Sequence, residues 1–206
     1  MKITRFEQSG FIFETDKGFR LAVDIASRTP LENLENVKAD AVIISHFHQD
    51  HFSIQHINKI FPKKVFLSKE CIGLIGEEKI SGEVVIITSN NTISIEDIKI
   101  QIFDVDHGPN VKVRPLENFG FLFTIDEEIM YFAGDMFYDS GIDVSNLEVD
   151  YALLPVGSFY TFGLQEAFGF AKTFKKIGKI IAMHDRGAPE VVTEFLELSK
   201  GSFVAE

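Results

Sequence analysis

The chain has 206 residues, 45% hydrophobic and 25% charged, enough to bury a sizeable core and ordinary for a globular protein. Its 20 basic against 31 acidic side chains give a net charge of −11, which disfavours broad electrostatic binding of nucleic acid, and no basic run suggests a membrane surface. No segment is apolar for long enough to be a signal peptide or a membrane span, and the single Cys71 has no internal disulfide partner, so the expected location is the cytoplasm.

The chain opens with strand patterns, "KITRFEQ", "FIFET" and "FRLAVDI", separated by turn signals at Ser9-Gly10 and Asp16-Lys17-Gly18. "DAVIISH" is a short β-branched run of the buried-strand type. "SIQHINKIF" places Ile54, Ile57 and Phe61 at helical spacing behind a Ser53 N-cap. "KVFLS" reads as a strand and "KECIGLIGEE" as a short helix, followed by three strand-like runs, "VVIIT", "TISIE" and "IKIQIFDVDH". Residues 108–118 read as a loop, and "FGFLFTID" with "EIMYFAGD" as a hairpin around Asp126-Glu127. "DYALLP" is a strand, "LQEAFGFAKTFKKI" a helix, "KIIAMHD" a strand, and "PEVVTEFLELSK" a last helix with Pro189 in its first turn. The 21 phenylalanines, against 4 tyrosines and no tryptophan, are read as core packing, and Cys71 as structural. With no linker or low-complexity tract, residues 1–206 are expected to form one α/β domain.

Four polar clusters, "SHFHQDH", "DVDHG", "FAGD" and "AMHD", each follow a strand-like run, so their side chains can converge at one sheet edge. In the first, His46, His48 and His51 stand with Asp50 inside six residues, half of the six histidines of the chain. An isolated histidine such as His56 is ordinarily a packed or surface residue. Burying three without compensation would cost on the order of several kcal/mol, and metal ligation explains the density. In extended backbone His46 and His48 point the same way and can grip one ion. Asp50 and His51 aim further on, which suits two neighbouring ions. Imidazole and carboxylate without thiolate suit zinc, and also manganese or iron.

"HFHQDH" resembles the H-x-H-x-D-H signature of the metallo-β-lactamase superfamily, and the resemblance continues through His107 in "DVDHG", Gly134-Asp135 in "YFAGD" and His184 in "IIAMHD". It implies a four-layer αββα sandwich of two mixed sheets flanked by helices. It also implies a dinuclear centre, with His46, His48 and His107 on one ion, Asp50, His51 and His184 on the other, and Asp135 bridging. Asp50 is in addition assigned to catalysis, and Asp24, at the end of an early strand, is the candidate for fixing an imidazole from behind. A water held between the ions would be the nucleophile, and the net positive centre would draw an anionic ester, lactone or phosphodiester. Lys112, Arg114 and Arg186 are candidates for holding that anion, each against the simpler reading of solvent-facing charge.

Length and the segment "LLPVGSFYTFGLQEA" resemble the compact ascorbate-6-phosphate-lactonase-like, YtkL-like hydrolases. The chain departs from them in "AM" before His184, where proline is usual, and in Asp185-Arg186 after it, where tyrosine often follows. Two alternatives stand beside a hydrolase of small molecules: an iron-dependent redox enzyme on the same fold, and a non-catalytic metal-binding scaffold. Neither a nucleic-acid nor a membrane partner is expected, and the oligomeric state is open.

Overall fold

Short β-branched and aromatic runs punctuated by glycine and aspartate turns produce strands throughout, as a computed structural model of residues Met1–Glu206 describes. The chain divides into two compact units, Met1–Thr88 with Pro115–Glu117, and Ser89–Arg114 with Asn118–Glu206. Each is a mixed six-stranded sheet with helices, the expected α/β class.

In the first unit β1 (Lys2–Arg5), β2 (Phe11–Glu14), β3 (Arg20–Val23), β4 (Ala41–Ile43), β5 (Lys64–Leu67) and β6 (Glu83–Ile86) lie side by side in chain order. The first three pair antiparallel and the rest parallel. The β2–β3 turn closes through Gly18, whose φ of 85° only glycine adopts readily. Helices α1 (Ile54–Ile60) and α2 (Lys69–Gly73) cover one face, where Ile12, Ala22, Val42, Val65 and Leu67 meet Leu34, Ile57, Ile60 and Cys71. The opposite face, with Phe11, Phe13, Leu21 and Ile43, is equally buried, so the strands read as continuous apolar runs.

Ser53 takes its expected place, and the length of α2 is corrected. Ser53 stands at the N-cap of α1, but its hydroxyl bonds His56 Nδ1 at 2.7 Å instead of a backbone N–H, and His56 Nε2 reaches the Thr29 carbonyl at 2.9 Å. His56 is therefore a packed structural histidine. Helix α2 is shorter than its sequence pattern, starting from a Ser68 hydroxyl that accepts from Cys71 N–H and stopping at Gly73. The Glu70 carboxylate accepts from the N–H groups of Leu116 and Glu117, and the Glu117 carboxylate accepts from Glu70 N–H. This reciprocal pair ties the Pro115–Glu117 stretch of the expected 108–118 loop into the first unit.

In the second unit β7 (Asn91–Ile95), β8 (Ile98–Asp104), β9 (Phe119–Ile125), β10 (Glu128–Phe132), β11 (Glu148–Pro155) and β12 (Lys176–Met183) again run side by side in chain order. β7 to β10 are antiparallel, and β10, β11 and β12 parallel. The expected β9–β10 hairpin turns at Asp126-Glu127, both with positive φ, the two-residue turn whose twist matches paired strands. Helices α3 (Leu164–Ala171) and α4 (Pro189–Ser199) pack on β11 and β12. Helix α3 ends well before the Ile177 that its apolar pattern suggested. The Thr173 hydroxyl bonds the Phe170 carbonyl at 2.7 Å, and Lys176 and Ile177 are already paired with Glu148 and Val149 of β11. The phenylalanines fill this core: Phe170 and Phe174 close on Tyr131, which stacks on Phe103. No helix of the chain is long and apolar enough to cross a membrane.

Candidate metal centre

Strands β3 and β4 are parallel neighbours, so their C-terminal ends lie at one edge, and Asp24 and Ser45 sit just beyond them. Asp24 is wholly buried at a left-handed φ of 48°. Its Oδ1 accepts from Ser45 N–H at 2.8 Å, and its Oδ2 accepts from the Ser45 hydroxyl at 2.6 Å and lies 2.9 Å from His51 Nδ1. Burial pushes the Asp24 carboxyl above its usual range, while the neighbouring His51 and the Ser45 bonds pull it back.

These contacts fix protons. With Asp24 as acceptor, His51 carries its hydrogen on Nδ1 and turns the Nε2 lone pair the other way. The Ser45 hydroxyl gives its one hydrogen to Asp24 and so accepts from His46 Nδ1 at 3.0 Å, which leaves His46 Nε2 as a lone pair too. That atom is 2.9 Å from His48 Nδ1. Two nitrogens on one tetrahedral zinc at ~2.05 Å are about 3.3 Å apart, so this spacing resembles that of two ligands to one ion. His51 N–H and Phe52 N–H both bond the His48 carbonyl, folding the chain into a turn that brings Asp50 Oδ2 to 3.9 Å from His51 Nε2. Gln8 Nε2 donates to the same Asp50 oxygen at 2.9 Å.

The second unit gathers its three predicted residues just past the ends of β8, β10 and β12. One Asp135 oxygen, Oδ2, lies 3.4 Å from His107 Nε2 and 2.9 Å from His184 Nε2, with all three side chains nearly excluded from solvent. Asp135 follows Gly134, whose φ is 61° and where a Cβ would fall 2.4 Å from the Phe119 carbonyl oxygen. Buried Asn118 Nδ2 donates to the carbonyls of both Asp135 and Val105, joining the strand end that carries Asp135 to the one that leads to His107. His184 holds φ 55°, and a Cβ on Gly157 would lie 2.1 Å from its carbonyl oxygen. Gly157 has to be glycine for His184 to stand where it does.

Imidazole nitrogens and carboxylate oxygens, buried and without thiolate, form a donor set that zinc, manganese or iron accepts. Cys71 takes no part, since burial holds its thiol neutral with a pKa of about 12. Arg114 is exposed and bonds Asp106 Oδ1 at 2.7 Å, Lys112 is exposed, and Arg186 lies over the Tyr160 ring. The sequence pattern did not single out Gln8, Ser45, Asn118 or Gly157. Only Ser45, adjacent to His46, sits where a local signal could have drawn attention to it.

A family model described as a beta-lactamase superfamily domain matches residues 2–184. A UPF0173 metal-dependent hydrolase of Methanosphaera stadtmanae is 26% identical over 205 residues, covering 93% of this chain and 86% of that protein. Among solved structures, the metallo hydrolase Igni18 of Ignicoccus hospitalis is similar in fold, with a TM-score of 0.76 and 23% identity over 99% of this chain and 93% of that one. CmlA, a diiron β-hydroxylase of Streptomyces venezuelae, also shares the fold, with a TM-score of 0.69 and 15% identity over 99% of this chain and 52% of that one.

Proposed function

Because the chain belongs to the metallo-β-lactamase superfamily, as a metal-dependent hydrolase, we propose that its two clusters hold two divalent ions, zinc in the first instance, and that it cleaves a small ester, lactone or phosphodiester. In this reading His46, His48 and His107 serve one ion, Asp50, His51 and His184 the other, and Asp135 both. The two units then form one catalytic domain, in keeping with a family match that runs through both. The observation that carries the reading is Asp135 Oδ2, a single buried oxygen within 3.4 Å of two imidazole nitrogens, as a bridging ligand requires.

A bound divalent pair supplies acidified water and polarises the scissile oxygen. The chain's own residues set the donors. Asp24 and Ser45 hold the tautomers of His51 and His46, Gln8 steadies Asp50, and Asn118 anchors the backbone of Asp135. The reading includes a cytoplasmic enzyme with a small, anionic substrate and no membrane partner, and also no nucleic-acid partner, which the net charge of −11 disfavours.

Elemental analysis of the purified protein, joined to a panel of lactones, phosphodiesters and esters, tests it. The expected result is two ions per chain and a hydrolysis that chelation abolishes and added metal restores. Turnover that survives complete metal removal, or in a His48→Ala, Asp50→Ala double variant, overturns it.

A further inference from the structure

Gly157 admits more than the His184 carbonyl. A Cβ there would also fall 3.1 and 3.3 Å from Cγ and Cδ of Arg186, so the arginine stem crosses the same bare backbone. Arg186 is exposed, holds a left-handed φ of 59°, and carries its guanidinium 5.0 Å above the centroid of Tyr160. It forms no ion pair or hydrogen bond within the chain, unlike Arg114, which Asp106 engages. Beside Tyr160 on its loop stands Phe159, 57% exposed, with its ring 4.7 Å from that of Tyr160. That loop is held in shape, because Ser158 and Phe159 both keep positive φ, Ser158 N–H bonds the Phe162 carbonyl, and Asn110 Nδ2 donates to the Phe159 carbonyl at 2.6 Å.

We propose that Arg186, placed over the Tyr160 ring two residues beyond His184, is the clamp for a carboxylate or phosphate group of the substrate, whose apolar body lies against Phe159. The proposal rests on the hydrolase reading for the site that it serves. A guanidinium attracted to a ring face loses little of its hydrogen-bonding capacity, and its N–H groups keep the fork that matches two oxygens of an oxyanion. Two residues of chain span at most about 7 Å, so the Arg186 backbone is tethered close to that of His184, whose Nε2 meets Asp135. On a protein of net charge −11, a guanidinium with no acidic partner at this position favours an anion over a neutral molecule of the same shape.

The test compares wild type with Arg186→Met, Arg186→Lys and Tyr160→Leu on a matched pair, neutral 4-nitrophenyl propionate and the carboxylated 4-nitrophenyl hemisuccinate. Wild type is expected to prefer the anion in kcat/KM by about tenfold or more, the scale of a charge-assisted pair. The preference falls to about one in Arg186→Met and partway in the other two, since lysine keeps the charge without the fork. In parallel, phenylacetate and phenylphosphonate are titrated calorimetrically against the protein as purified. At least one should bind, and about tenfold more weakly to Arg186→Met, and which one binds tells carboxylate from phosphate. Binding that depends on Arg186 with no ester, lactone or phosphodiester of the panel cleaved leaves the clamp standing and sinks the hydrolase. Turnover with a charge preference and anion binding indifferent to Arg186→Met sinks the clamp and leaves the hydrolase.

Discussion

Asp24 Oδ2 lies 2.9 Å from His51 Nδ1, with both side chains wholly excluded from solvent. In the proposed centre a carboxylate there would set which ring nitrogen of His51 faces the metal and strengthen it as a donor. Asp24→Asn keeps the shape and removes the charge, and metal affinity should fall about 10- to 100-fold. Competition against a chelator of known affinity measures this. Ser45→Ala should also weaken binding, because the hydroxyl transmits the Asp24 acceptor to His46 Nδ1. Wild-type affinity in Asp24→Asn would remove the tautomer-fixing role assigned to it.

Gly157→Ala sets a Cβ 2.1 Å from the His184 carbonyl oxygen, a backbone atom that no side-chain rotation can relieve. The chain around His184 must shift. A loss of about 1–3 kcal/mol in stability is expected, with metal affinity falling alongside. Gly169→Ala is the control. It sits in α3 with nothing within 4 Å of the new Cβ, and should stabilise by about 0.5–1 kcal/mol. Urea unfolding of the two variants decides the point, and equal, harmless effects would refute the account of Gly157.

The contrast between these residues explains what could be read in advance. His46, His48, Asp50 and His51 announce themselves because candidate ligands on one turn must be close in sequence. His107, Asp135 and His184 were singled out by the resemblance to the metallo-β-lactamase superfamily, with the apolar run before each placing it at a strand end. Asn118 and Gln8 were not, since a side-chain amide acting across 17 or 42 residues leaves no local pattern. The β9–β10 turn was visible from its two acidic residues, whereas the end of α3 was hidden. There the apolar spacing persists past Ala171, and what stops the helix is pairing of Lys176 and Ile177 with β11.

Asn118→Ala would leave the carbonyls of Val105 and Asp135 without the donor that Nδ2 supplies. Each buried acceptor left unpaired costs about 1–3 kcal/mol. For a chain of this size the expected fall in Tm is about 2–4 °C per kcal/mol. Metal affinity should drop as well, since the backbone of Asp135 loses its tie to Val105. A thermal scan with and without added zinc separates the two effects. Metal-dependent stabilisation unchanged in Asn118→Ala would show that Asp135 is positioned without it.

Burial pushes the Cys71 thiol from 9.0 to about 12, with the nearby charges of Asp24 and Glu70 adding to the shift and the Ser68 bond opposing it. The folded pKa is above the unfolded one, so the neutral thiol's contribution to stability is complete below about pH 9 and is lost as pH rises toward 12. Native protein at pH 8 should react with a thiol-specific disulfide reagent only as fast as it opens, because both the burial and the missing thiolate protect the sulfur. The stability difference between wild type and Cys71→Ala should shrink from pH 8 to pH 10.5 in urea titrations. A difference that stays flat, or a thiol that reacts at the rate of a free cysteine, would mean that Cys71 is reachable and ionisable in the folded chain. It would then have to be reconsidered as something other than core packing beneath β4 and β5.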